Sequence, residues 1–259
     1  MPKPVPPVYR IYQWIWASLD LIYPPHCGGC GRQGQRWCLD CQQNVRVLSP
    51  PICDRCGQII TETGLCTQCL KGRPHFEALR SWAVFEGPIR KALHKLKYQR
   101  DIGLGEALAW PLINYLKELN WRIDIVVPVP LGVARHKERG YNQSVLIAWP
   151  LSLATKISYR SRALKRVRET RSQVGLSLDQ RRVNVSGAFK GNSELVSGKN
   201  VVLVDDVTTS CSTLEACSVA LLEAGAMKVY GLTVARAGKN RSGQSFQDQP
   251  GSQESVSLR

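Results

Sequence analysis

The chain has 259 residues, is 43% hydrophobic and carries a formal net charge of +15. It is long enough for a sizeable core in one or two domains, and basic enough to point to phosphate-rich partners, either nucleic acid or phosphorylated small molecules. No apolar run approaches the ~18 residues of a membrane-spanning helix, and the start MPKPVPPVYR lacks the pattern of a secretory leader, so no transmembrane segment and a cytoplasmic location are expected.

From the N-terminus, Val8, Ile11, Ile15, Leu19 and Ile22 recur at three- and four-residue steps and predict a helix over 8–22. Its apolar face is expected to dock on the protein itself, with a membrane surface or a partner as the alternative. Tyr23-Pro24-Pro25 ends it. A cysteine block follows, built from Cys27-Gly28-Gly29-Cys30, Cys38-Leu39-Asp40-Cys41, Cys53-Asp54-Arg55-Cys56 and Cys66-Thr67-Gln68-Cys69. Gly31 and Gly57 each stand one residue past a pair, so the block is an internal repeat. Two thiolates two residues apart grip adjacent corners of a tetrahedron, and a second pair closes a structural zinc site. The spacing favours zinc over an iron–sulfur cluster or disulfides. Two zincs are expected, each on one consecutive set, a cross-braced pairing being the alternative. Metal binding is expected to supply the folding energy of so short a block. Arg32, Arg36, Arg55, Lys71 and Arg73 leave a nucleic-acid contact open beside a purely structural role.

Residues 79–85 read as a strand. Gly87-Pro88 then opens a helix with a basic polar side, Arg90, Lys91, Lys95, Lys97 and Arg100. A helix over 104–119 is interrupted or kinked by Pro111. A short strand at 123–127 leaves the sheet through Pro128-Val129-Pro130. A helix over 141–155, loop and short elements over 160–190, a strand at 200–204, a helix from 213 to 224 stopped by Gly225 and a strand at 227–235 complete the pattern. Strands alternating with helices predict parallel βαβ units. Four regions are expected: an amphipathic helix (1–25), a cysteine-rich zinc-binding domain (26–72), an α/β domain (73–237) and a tail (238–259) rich in Ser, Gln and Gly and expected to be disordered.

The stretch VVLVDDVTTSCSTLEAC, 201–217, carries the chemistry. An apolar run buried on both faces delivers Asp205-Asp206 to the carboxyl end of a strand, where open α/β sheets bind ligands. Thr208, Thr209, Ser210 and Thr213 supply hydroxyls beside the N–H groups of a helix start, which makes an anion cradle. Ser212-Thr213-Leu214-Glu215 fits a capping box with Ser212 as N-cap. A ribose 5-phosphate suits both halves, with phosphate in the cradle and vicinal hydroxyls on the acids.

The segment resembles the phosphoribosyl-diphosphate motif of type I phosphoribosyltransferases, usually V-D-D-V-x-T-T-G-x-T. Together with Pro128-Val129-Pro130-Leu131, Arg139-Gly140-Tyr141-Asn142-Gln143, Thr170, Gln173 and 181–184, it makes residues 20–236 similar to the ComF family, in which a zinc-binding region precedes such a domain. The resemblance implies a type I phosphoribosyltransferase-like parallel sheet with flanking helices, behind a double zinc-ribbon-like domain. It implies that Asp205 and Asp206 hold ribose hydroxyls and that Thr208, Thr209, Ser210, Cys211, Ser212 and Thr213 hold the 5-phosphate. Arg135, Lys137 and Arg139 would serve the pyrophosphate, with Asp205, Asp206 and Arg139 in the catalytic set. Mg²⁺ would accompany the diphosphate, and the basic stretch 160–182 would be a flap. Cys211 departs from the motif's glycine, which permits positive φ. Two functions follow from the resemblance. One is a phosphoribosyltransferase-like protein binding phosphoribosyl diphosphate in DNA uptake. The other is a non-catalytic, zinc-dependent single-stranded DNA-binding factor that senses a nucleotide metabolite. Other DNA-uptake proteins are expected partners.

Overall fold

The computed structural model of the chain describes residues 6–170 and 177–238. The expected tail beyond Gly238, together with Gln173 and the middle of the expected flap, lies outside the described residues. The elements are α1 (Pro7–Ile22), α2 (Leu39–Gln43), α3 (Thr67–Lys71), β1 (Ala78–Val84), α4 (Gly87–Tyr98), α5 (Leu104–Glu118), β2 (Ile125–Pro128), α6 (Val133–Arg139) and α7 (Gln143–Thr155). They continue through β3 (Ser158–Tyr159), β4 (Leu164–Arg166), α8 (Leu178–Val185), β5 (Phe189–Gly191), α9 (Ser193–Val196), β6 (Asn200–Thr208), α10 (Ser212–Glu223) and β7 (Lys228–Arg236). Five strands form one parallel sheet in the order β1-β7-β6-β2-β3, and β4 pairs antiparallel with β5 in a second, small sheet.

The period-2 alternation of strands divides the core between the two faces of the large sheet. Val201 and Leu203 join Ile125, Val127 and Val229 against Leu214, Cys217 and Leu221 of α10. Val202 and Val204 join Val126, Leu232 and Val234 against α4, α5 and α7. A helix layer on each face is why the β6 sequence reads as an unbroken apolar run. β6 runs past the expected end at 204 to Thr208, because Asp205 and Thr208 keep their register with Thr233 and Arg236 of β7. Both acids are therefore strand residues. Pro111 lies inside α5 without ending it; buried Leu104, Leu108, Leu112 and Leu116 hold that helix to the core on either side of the proline.

Helix α1 docks on the protein itself, but not by its aliphatic stripe. Val8, Ile11, Ile15, Leu19 and Ile22 are exposed, and Trp14 and Leu21 with them. The helix is seated instead by Tyr9, Tyr12, Trp16 and Asp20, a second stripe at helical spacing. Tyr9 is fully buried, donates its hydroxyl to Glu106 at 3.2 Å and stacks 6.5 Å from Trp110. Arg36 pairs with Asp20 and lies 4.7 Å over the Trp16 ring. Aromatic side chains bury more area per residue than aliphatic ones and bring polar tips that find partners, so they win the contact.

The two halves of the cysteine block share a turn. The Gly31 N–H donates to the Cys27 carbonyl and the Gly57 N–H to the Cys53 carbonyl, each at 2.9 Å, with φ of +81° and +69° at the two glycines. Neither half builds a core alone. Cys27, Trp37, Cys38 and Cys41 pack with the cluster of α4 and α5, while Cys53, Cys56, Cys66 and Cys69 pack with Phe76, Leu79 and Leu214. Between them, residues 46–48 run antiparallel along the outer side of β1: the Leu48 N–H donates to the Trp82 carbonyl and the Val84 N–H to that of Arg46, both at 2.9 Å.

Candidate functional site

Each consecutive cysteine set converges on one point. The sulfurs of Cys27, Cys30, Cys38 and Cys41 all lie within 4.8 Å of one another, as do those of Cys53, Cys56, Cys66 and Cys69. A tetrahedral zinc with bonds of about 2.3 Å has sulfur–sulfur edges of about 3.8 Å; Cys30 to Cys38 and Cys56 to Cys66 each measure 3.7 Å. Backbone N–H groups of Cys38 and Cys66 point at Cys27 Sγ and Cys53 Sγ from 3.4 and 3.3 Å, donors suited to thiolates. Both sets fit zinc in the consecutive pairing.

The paired acids sit at the start of α7. Asn142 caps that helix, its side-chain oxygen accepting from the Ser144 N–H and its amide donating to the Val129 carbonyl, both at 2.9 Å. This seats Gln143 and Ser144 against β6. Ser144 Oγ donates to Asp205 Oδ1 at 2.7 Å, and Gln143 Nε2 donates to Asp206 Oδ1 at 3.3 Å. Arg139 Nη1 donates to Gln143 Oε1 at 3.0 Å and its guanidinium lies 5.0 Å over the Tyr98 ring. From the end of α4, Lys97 Nζ reaches 2.6 Å from Asp206 Oδ2.

The surroundings drive the two acids apart. Burial pushes Asp205 up to about 7, and the Asp206 charge adds to the rise. Burial acts the same way on Asp206, but the Lys97 charge and its hydrogen bond outweigh it and hold Asp206 below the usual carboxylate range. Burial acts to lower Lys97; Asp206 reverses that and leaves it above the usual range.

After Thr208 the chain turns through Thr209, Ser210 and Cys211. Thr209 Oγ1 accepts from Arg181 Nη1 of α8 at 3.1 Å, and the hydroxyls of Ser210 and Ser212 are 2.8 Å apart. Cys211 has φ +63° and ψ 0° and is itself the N-cap of α10. The expected capping box from Ser212 is absent because Ser212 is already helical, and Glu215 is engaged elsewhere: it accepts from the His75 N–H at 3.0 Å and pairs with that ring's Nδ1. Behind the loop, buried Arg236 donates from Nη1 to the Cys56 carbonyl at 2.7 Å and from Nη2 to Cys211 Sγ at 3.4 Å. One arginine thus joins the turn to the second zinc site.

The double zinc ribbon domain matches residues 18–70. The DNA utilization protein YhgH of Escherichia coli strain K12 is 35% identical over 201 residues, 74% of this chain and 86% of that one. Competence protein F of Haemophilus influenzae is 31% identical over 212 residues, 77% of this chain and 90% of that one. The chain belongs to the ComF family. Competence protein ComFC of Bacillus subtilis is a more distant relative, 24% identical over 230 residues, 86% of this chain and 89% of that one. Among solved structures, an adenine phosphoribosyltransferase is 17% identical, with 54% of this chain and 75% of that one covered and a TM-score of 0.36.

In this ComF protein the residues singled out from sequence divide into two groups. Asp205, Asp206 and the stretch from Thr208 to Thr213 follow one another from the end of β6 into α10, with Asp206, Thr208 and Ser212 buried and Thr209 exposed. Arg135 and Lys137 are exposed on α6, whereas Arg139, on the same helix, is buried on Gln143. Lys97, Ser144, Arg181 and Arg236 are the contributors that sequence reasoning left without a firm role. Its place at the helix end lets Lys97 reach in on sequence grounds, but spacing alone does not single it out from the other cations of that helix face. Asp206 fits a directly bound Mg²⁺ poorly, because Lys97 already holds one of its oxygens and Gln143 donates to the other.

Proposed function

We propose that this ComF protein binds phosphoribosyl diphosphate and acts in DNA uptake or utilisation, the processes named for its relatives. The observation that carries the ligand is the junction at the end of β6, where two acids and a hydroxyl-lined turn with a left-handed residue at its tip lie within nine residues. The acids would take the ribose hydroxyls. The turn, with N–H groups at the start of α10, would take the 5-phosphate. Arg135 and Lys137 would meet the pyrophosphate, with Arg139 positioning Gln143 rather than touching the ligand. Any Mg²⁺ would ride on oxygens of the ligand and of water.

Transfer would break the bond from the anomeric carbon to pyrophosphate and form one to an acceptor, with positioning and fixed charge doing most of the work. Two candidate bases are engaged elsewhere: Glu215 is bound by His75 and Glu169 accepts from the Val133 N–H. Binding is therefore the core of the proposal. Calorimetry with phosphoribosyl diphosphate should show saturable binding that the Asp205→Asn/Asp206→Asn double variant loses. Equal affinity in the double variant would remove the reading. Pyrophosphate release by wild type, absent in that variant, would extend it to catalysis. The charge of +15 supports a second reading, a single-strand binding factor that uses the site as a sensor. Affinity for single strands that falls steeply with salt supports it, and a flat dependence refutes it.

A further inference from the structure

The cation that answers the paired acids is part of the chain. Lys97 comes from the last turn of α4, 109 positions before Asp206 in the sequence, and its ammonium is 2.6 Å from Asp206 Oδ2 with side-chain exposures of only 16% and 6%. Asp206 Oδ1 receives Gln143, which Arg139 orients in turn. Asp205 Oδ1 receives both Ser144 Oγ and the Asp206 N–H. A Mg²⁺ bound directly to Asp206 would sit about 2.1 Å from an oxygen that Lys97 or Gln143 already engages, and beside Lys97 two cations would share one ligand atom.

A bare pair of carboxylates would repel an incoming diphosphate. An ion bound with the ligand is one way to offset that charge. A buried ammonium fixed on one acid is another, and it acts before the ligand arrives, in a low-dielectric setting where charge counts for more than in water. We propose that Lys97 is the resident cation of this site, so that a ribose-bearing diphosphate binds without a divalent metal. The inference rests on the ligand reading given above and goes beyond it in assigning the charge-balancing role to a side chain.

The test is calorimetry with phosphoribosyl diphosphate in two buffers, one holding millimolar Mg²⁺ and one stripped of divalent ions by passage over chelating resin. No soluble chelator is added, so the cysteine sites keep their zinc, which is confirmed by metal analysis. Wild-type affinities in the two buffers should agree within about threefold, where tenfold corresponds to about 1.4 kcal/mol. Lys97→Met should bind at least about tenfold more weakly without metal and recover part of the loss with Mg²⁺. Lys97→Arg, which keeps the charge, should stay metal-independent. Wild-type binding that needs Mg²⁺ overturns the inference and leaves the ligand reading standing. Absence of binding in both buffers overturns the ligand reading, and the inference with it. The wild-type comparison decides the matter even where Lys97→Met does not fold.

Discussion

Replacing Cys211 separates the cost of its backbone from the worth of its sulfur. Its φ of +63° places an L-residue in the left-handed region, a cost of roughly 1–2 kcal/mol that glycine avoids. Glycine gives back about 0.5–1 kcal/mol through the greater freedom of its unfolded chain. Either glycine or alanine also loses the N–H···S contact from Arg236 at 3.4 Å, worth about 0.5–1.5 kcal/mol. Cys211→Gly should then lie within about 1 kcal/mol of wild type, while Cys211→Ala keeps the strain, loses the sulfur and falls about 1 kcal/mol below Cys211→Gly. For a chain of this size that gap is about 2–4 °C in Tm. Thermal and urea unfolding of the zinc-loaded proteins measure it. Calorimetry with phosphoribosyl diphosphate should find Cys211→Gly at least as tight as wild type. An alanine variant as stable as the glycine variant would refute the strain, and markedly weaker binding by Cys211→Gly would show that the sulfur, through Arg236, sets the shape of the turn.

Two further expectations concern other parts of the molecule. Asp205 holds its proton more tightly folded than unfolded, so its contribution is complete below about pH 4 and is lost as pH rises through about 7. Wild type should therefore lose Tm from pH 5 to 8 more steeply than Asp205→Asn, and parallel slopes would refute the assignment. On α1, Tyr9→Ala should cost about 3 kcal/mol because Tyr9 is fully buried, whereas Ile15→Gln should change stability by less than about 0.5 kcal/mol. The reverse order in urea unfolding would restore the aliphatic stripe as the docked face.

Much of the fold was legible because it rests on local signals. The four cysteine pairs, the alternation of strands with helices, and the acids ahead of a hydroxyl-rich turn all announce themselves within a few residues. What escaped depends on contacts far apart in the chain. The α1 pattern contains two competing stripes, and only the Glu106 hydroxyl acceptor and the Trp110 ring, about a hundred residues away, select the aromatic one. Lys97 cannot be told from Lys91 or Lys95 by spacing; its difference is that the end of α4 lies over β6. Ser212 satisfies a capping pattern on paper, but the turn is anchored from behind by Arg236 and from the side by His75, which moves the helix start by one residue.

The strap at 46–48 gives the cysteine block a protective duty. A parallel sheet has two open borders where foreign strands can add. Here β3 closes one by being only two residues long, and the strap closes the other by occupying the outer side of β1. That strap is held in place at each end by a cysteine set, so its seal is only as durable as the metal. A chain starved of zinc would bare the β1 border before its α/β core came apart. Self-association through that border, rather than loss of ligand, should be the first symptom of metal depletion.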